Sequence, residues 1–130
     1  MKEIFDFLKE AGTYYLATTQ GDQPRVRPFG SAAIFENRLY ILTSKSKDVS
    51  HQLAVNPKVE ISATLGMKWI RLSGKLVNDD RVEAKQYVLD QHPELKTMYS
   101  AEDSNTQVLY LSDAVATFYS FEEAPKTVKF

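Results

Sequence analysis

The sequence predicts an α+β fold, with six or seven mainly antiparallel strands curled into a barrel and three short helices at its rim. Segments rich in β-branched and aromatic residues follow one another through turns too short for parallel crossovers. Helical spacing occurs only in short stretches that end at glycine or proline. A small antiparallel sheet also leaves two unpaired edges unless it curls shut. Periodicity alone leaves a sandwich open as the alternative architecture.

The elements follow in order. Ile4, Phe5, Leu8 and Ala11 recur at helical spacing and Gly12 stands just beyond them, so the chain opens on one helix. The run TYYLATT enters the turn Gln20-Gly21-Asp22, and PRVRPFGSAAIF after it reads as the second arm of an antiparallel hairpin. Glu36-Asn37 turns the chain into a third strand, RLYILTS. Ser46 is expected to cap a helix that starts near Lys47 or Asp48, carries Val49, Leu53 and Ala54 inward, and ends at Asn56-Pro57. VEISATL and WIRLSGKLV flank Leu65-Gly66-Met67 as a second hairpin, and Asn78-Asp79 is expected to cap a helix over RVEAKQYVLDQH, stopped by His92-Pro93. After the polar stretch AEDSNTQ, VLYL and AVATFYSF read as two closing strands.

At 130 residues the chain fits one domain, residues 1–130, large enough to bury a core without covalent staples. Cysteine is absent, which excludes disulfides, thiolate nucleophiles and thiolate metal sites and leads us to expect a reducing, cytoplasmic setting. Charges interrupt the N-terminal helix and no apolar run approaches the ~18 residues of a spanning helix, so neither a signal peptide nor a membrane segment is expected. The formal net charge of −1 offers no field to gather DNA or RNA.

Three constellations can carry chemistry. In PRVRPFG, side chains alternate, so Arg25, Arg27 and Phe29 share one face and Val26 and Pro28 the other; Pro28 places the stretch at a sheet edge or a break in pairing. Free backbone groups there suit a planar ligand, although two arginines on a solvated strand would give the same spacing. In TSKSKDVSH, Thr43, Ser44 and Ser46 offer hydroxyls and Lys45 and Lys47 charge, just before a helix N-terminus that favours an anion; Ser46 would serve equally as a plain cap and the lysines as solubilising charge. In KWIRLSGKLV, Ile70, Leu72 and Leu76 face the core, which sends Trp69, Arg71 and Ser73 outward, toward a partner surface or beneath a covering loop.

The other candidates are weak. His51 and His92 lack the spacing of a metal site and read as surface or helix-terminal residues, and no metal is expected. Ser31, Ser62 and Ser112 lie in no nucleophile motif, and Asp79, Asp80, Glu83, Glu122 and Glu123 read as caps and solvated faces.

The order of elements, with LATTQGDQPRVRPFG, LYILTSKSKDVSHQLAVNPKVEIS and WIRLSGKLV, resembles the FMN-binding split-barrel superfamily that includes pyridoxamine 5'-phosphate oxidase. The resemblance spans nearly the whole chain and implies a split barrel acting as a homodimer with FMN at the subunit interface. Position by position, it implies that Arg25, Val26, Arg27, Pro28 and Phe29 line the isoalloxazine and ribityl chain, largely through backbone groups. Thr43, Ser44 and Lys47 would hold the phosphate, and Trp69 and Arg71 would approach the flavin from the other subunit. The implied activity is an oxidoreductase that passes electrons from NAD(P)H through FMN to a small-molecule acceptor, with no catalytic residue matched. FEEAPKTVKF does not resemble the basic C-terminus of authentic pyridoxamine 5'-phosphate oxidases, so the chain looks closer to the compact branch related to nitroimidazole reductases. An F420-binding reductase of the same fold, or a non-enzymatic flavin-binding or interaction module, is the alternative.

Overall fold

Short turns fix the hairpin pairings of the sheet. The computed structural model describes residues 1–130. It runs through helix α1 (Lys2–Ala11), strands β1 (Tyr14–Gln20), β2 (Gln23–Phe29), β3 (Ala33–Phe35) and β4 (Arg38–Ser44), helix α2 (Asp48–Val55), strands β5 (Lys58–Leu65) and β6 (Lys68–Asp79), helix α3 (Val82–Gln91), a 3-10 turn at Pro93–Thr97, and strands β7 (Thr106–Tyr119) and β8 (Lys126–Lys129). Gly12 ends α1 with φ 80°, a left-handed conformation that costs glycine little, and its N–H donates to the Leu8 carbonyl. Glu36 and Asn37 take φ 50° and 60°, as a tight two-residue hairpin between β3 and β4 requires. No helix is long and apolar enough to cross a membrane.

The sheet runs β2-β1-β5-β6-β7-β4-β3, with β8 added alongside β7. Every pairing is antiparallel. The two ends of this order, β2 and β3, are consecutive in the chain and joined only by Gly30-Ser31-Ala32. A strand at one edge can run straight into a strand at the opposite edge only if the sheet curls until its edges approach. No ladder joins β2 to β3, so the barrel stays split along that line.

Three contacts pin the crossing. Tyr14 donates its hydroxyl to the Ser31 carbonyl at 2.6 Å, and Ser31 Oγ accepts from the Leu42 N–H at 2.9 Å. His92 Nε2 lies 3.1 Å from the Ala32 nitrogen and 2.9 Å from its carbonyl oxygen. Burial pushes the Tyr14 phenol far above its ordinary pKa, so it stays a donor. Inside the curl, a core of 19 buried residues joins Ile4 and Leu8 of α1 to Leu16, Ile41, Ile61, Ile70 and Leu72 of the sheet. A separate cluster under α3 packs Ala84, Val88 and Leu89 on Tyr40, Leu42 and Val108.

Several sequence expectations require correction. There are eight strands, not six or seven. PRVRPFGSAAIF is not one strand but β2 and β3, parted at the crossing. VLYL and AVATFY belong to a single strand, β7, which ends before Ser120-Phe121 and is kinked where Asp113 adopts φ 52° and the register against Ser73 and Lys75 slips. Gly74 permits that bulge, because a Cβ there would stand 3.0 Å from the Ser112 carbonyl oxygen. The C-terminal β8 was not foreseen. Ser46 does not cap α2: Lys47 is the N-cap, and the Ser46 N–H donates to Asn105 Oδ1 at 3.0 Å. Ala54 is exposed rather than inward. Asn78 and Asp79 belong to β6, and Arg81 is the N-cap of α3.

Asp79 is no solvated cap but a buried carboxylate, 8% exposed. Arg81 Nη2 donates to its Oδ2 at 3.0 Å, Tyr40 donates to the same oxygen at 2.8 Å, and the Arg81 N–H reaches Oδ1 at 3.1 Å. These bonds, Arg81's foremost, hold the carboxyl at a pKa of about 2 against the opposing effect of burial. A depressed carboxyl contributes stability that is present above its unfolded pKa and is lost as pH falls through the folded one. Asp79→Asn is therefore expected to lower stability at pH 7 by about 1–3 kcal/mol in urea titrations. The gap to the parent should narrow between about pH 4 and pH 2; a gap that does not change with pH would assign the loss to shape rather than charge.

Candidate functional site

Because β2 must leave the sheet at Phe29 to reach the opposite edge, it cannot seal against the elements beyond it. The opening is a cleft of about 380 Å³ between the end of β2, the end of β4, the start of α2 and the 3-10 turn. Of the residues that the resemblance assigns to the ligand, Arg27, Pro28, Phe29, Thr43 and Lys47 line it, and so do Ser31 and His92, to which the sequence assigns no such role.

Arg27 is partly buried and held only by neutral groups: Nη1 donates to Thr18 Oγ1 at 2.7 Å and to the Leu16 carbonyl at 3.3 Å, and Nη2 to Gln52 Oε1 at 2.6 Å. Burial lowers its pKa below the arginine norm, opposed by Asp48 and assisted by Arg25, yet a guanidinium stays charged at any physiological pH. Lys47 stands at the N-cap of α2. Whereas Lys45 pairs with Asp80 at 3.1 Å, Lys47 has no carboxylate partner. Asp48 in the first turn already offsets part of the α2 dipole, so the positive potential of the cleft rests chiefly on these two side chains.

Thr43 is 2% exposed, and its Oγ1 is the one buried side-chain polar atom without a hydrogen-bond partner. Leaving such a group unsatisfied costs about 1–3 kcal/mol, which a ligand acceptor or donor in the cleft would recover. Ser44 points elsewhere, its hydroxyl 3.1 Å from that of Tyr99, so it touches the cleft only through the tyrosine that lines it. Phe29, stacked on Tyr14 with centroids 6.0 Å apart, adds an apolar wall. As an edge strand, β2 keeps one row of backbone groups free of ladder bonds.

The other predicted residues lie outside the cleft. Arg25 is exposed and donates from Nε to Gln20 Oε1 at 3.0 Å. Val26 is 67% exposed on the opposite face of β2. Trp69 lies on the outer face of β6, half-buried, stacked on Tyr119 at 5.2 Å and tilted against Phe121 at 5.4 Å. Arg71 bridges to Glu60 Oε2 at 3.0 Å, and that hydrogen bond raises its pKa. Through the register Arg71↔Ser62, Ser62↔Tyr15 and Tyr15↔Pro28, this outer face runs unbroken from β6 to β2. It includes Tyr15, 53% exposed, and Val26, 67% exposed.

Sequence reasoning missed one whole wall. His92, Glu94, Leu95, Met98 and Tyr99 come from the end of α3 and the 3-10 turn. His92 is 4% exposed, and its Nδ1 stands 3.5 Å from Glu94 Oε1. In the sequence His92 reads only as a surface or helix-terminal residue and, with Pro93, as the end of a helix; it is the C-cap of α3, but buried in the cleft wall rather than at the surface.

Two cations without carboxylate partners, a buried hydroxyl without any partner, an apolar ring wall and free edge-strand backbone fit an anionic ligand with a flat ring, and flavin mononucleotide meets that description. Comparison with known proteins agrees with the fold. Residues 1–112 match the family model described as pyridoxamine 5'-phosphate oxidase. The crystal structure of a NimC/NimA family protein from Clostridium acetobutylicum is similar at TM-score 0.97 and 46% identity, over 100% of this chain and 92% of that one. General stress protein 26 from Bacillus anthracis matches at TM-score 0.75 and 19% identity, over 99% of this chain and 98% of the other. A pyridoxamine 5'-phosphate oxidase-related, FMN-binding protein from Nostoc punctiforme matches at TM-score 0.62 and 14% identity, over 99% and 93%. These last two speak to the fold alone. No curated protein matches the chain. With the family match extending over most of its length and the split barrel it describes, this chain belongs to the pyridoxamine 5'-phosphate oxidase family.

Proposed function

We propose that the chain is an FMN-dependent oxidoreductase that works as a homodimer and passes electrons from NAD(P)H to a small-molecule acceptor. The observation that carries this reading is the convergence of Arg27, Thr43 and Lys47 on one cleft, each with bonding capacity that no protein group uses. In this reading Lys47 and Thr43 hold the phosphate, with Ser44 orienting Tyr99 beside them. The backbone from Arg25 to Phe29 follows the ribityl chain and ring. FMN, when bound, supplies the hydride- and electron-transfer chemistry. The Arg27 charge, fixed by Thr18, Leu16 and Gln52, favours added negative charge on a ring beside it. Trp69 and Arg71 do not line the cleft of their own chain, and a second copy docked on the outer face would bring them to its flavin. The uncovered face from β6 to β2, with exposed Tyr15 and Val26, supports that pairing.

The direct test is an absorbance spectrum after loading with excess FMN and removing what is unbound. Retention near one flavin per chain, followed by bleaching with NADH or NADPH and recovery on adding a nitro compound or quinone, is expected. Retained flavin that no nicotinamide reduces would leave a carrier; no retained flavin would remove the cofactor.

Lys47→Ala removes a charge-assisted contact and should weaken FMN by roughly tenfold or more while leaving riboflavin, which lacks the phosphate, little changed in fluorescence titrations. Thr43→Val should also weaken FMN, by about fivefold, yet leave the free protein as stable as before or slightly more so, because its hydroxyl is unsatisfied there. Equal losses for both flavins, or a destabilised Val variant, would contradict the phosphate assignment.

Trp69→Ala should raise the dimer dissociation constant about tenfold or more in sedimentation equilibrium, as expected for a central aromatic anchor. An unchanged constant would confine Trp69 to packing against Tyr119.

A further inference from the structure

A second cleft, of about 470 Å³, opens between the β1–β2 turn and the exposed face of α2. Thr19 and Gln20 line one side, and Asp48, His51, Gln52 and Asn56 the other. Asp48, Gln52 and Asn56 follow at four-residue spacing, which places them in one row along the helix.

Gln52 is 7% exposed, and what remains accessible includes its amide nitrogen. Its Oε1 accepts from Thr18 Oγ1 and from Arg27 Nη2, while no protein acceptor reaches its Nε2. A guanidinium N–H can face only the oxygen of an amide, so the position of Arg27 fixes the orientation of Gln52 and turns the NH2 end away from it. Gln52 lines this second cleft and Arg27 the first, so their hydrogen bond spans the wall between the two. Of the neighbouring amides, Asn56 Nδ2 donates to Thr19 Oγ1 at 3.0 Å, while Gln20, exposed at the rim, has its Oε1 bonded to Arg25 and its Nε2 open.

The open groups therefore include two N–H donors on Gln52 and the carboxylate of Asp48 one helical turn away. No lysine or arginine lines the cleft itself, so an anion there would face the Asp48 charge, which Arg27 behind Gln52 and the α2 dipole offset only in part. A neutral group with an acceptor and a donor side by side suits the pair. We propose that this cleft binds a small neutral ligand through a primary carboxamide, its carbonyl accepting from Gln52 and its N–H donating to Asp48.

The test is an NMR titration of the full chain with nicotinamide and with its near-isosteric acid, nicotinate. Nicotinamide should shift the Gln52 side-chain amide and the backbone signals of residues 48–56 and 19–21, with nicotinate binding about tenfold more weakly. Gln52→Glu preserves an acceptor for Arg27 and Thr18 but replaces the donors with an acceptor, and should weaken nicotinamide by about fivefold to tenfold, the worth of one or two lost hydrogen bonds. Asp48→Ala should bring the two ligands to within about twofold of each other. Shifts that map elsewhere, equal affinity for acid and amide in the parent, no binding at saturating nicotinamide, or unaltered binding in Gln52→Glu would each overturn the proposal.

Discussion

The crossing at Gly30-Ser31-Ala32 is the constraint on which the rest depends. One short link joins the two extreme edges of the sheet, so the sheet has no freedom to lie open, and its curl creates both the core and the gap beside Phe29. The link is secured by groups from three distant parts of the chain: Tyr14 at the start of β1, Leu42 in β4 and His92 at the end of α3. His92 is suited to that position because a neutral imidazole can use Nε2 as acceptor for the Ala32 N–H or as donor to its carbonyl, so either tautomer satisfies one buried backbone group. The same histidine forms part of the cleft wall, which ties the shape of the site to the closure of the barrel.

Several cations of the molecule are held by a nearby carboxylate. Arg71 meets Glu60, Arg81 meets Asp79 and Glu36, and Lys126 meets Glu3. Arg27 and Lys47 are the two unpaired cations that line the cleft. A partly buried guanidinium fixed by a hydroxyl, a carbonyl and an amide keeps its full positive charge while its direction is set, which is the preorganised state an anion or an electron-rich ring requires.

Features governed by neighbours in sequence were legible before the structure. Gly12, Glu36-Asn37 and Leu65-Gly66-Met67 mark real boundaries because turn conformation is a local property, and Arg27, Phe29, Thr43 and Lys47 meet because those boundaries place them. Ser46 and Asn78-Asp79 have the composition of caps, but tertiary partners claimed them: Asn105 takes the Ser46 amide, and Arg81 and Tyr40 take the Asp79 carboxylate. The polar pair Ser112-Asp113 looks like a turn and is a bulge, seated against Gly74 on the facing strand, where a Cβ would crowd the Ser112 carbonyl. Strand β8 is too short and too exposed to show alternation, and the 3-10 turn has no periodicity by which its contribution to the cleft could be recognised.

The prolines of β2 have a consequence for solubility. Pro24, Val26 and Pro28 alternate along an edge strand paired only with β1, so two of these three positions carry no N–H at all. An incoming strand from another molecule would find few donors with which to extend the sheet. The gap that the split requires thus remains closed to fibril-like stacking and open to small molecules.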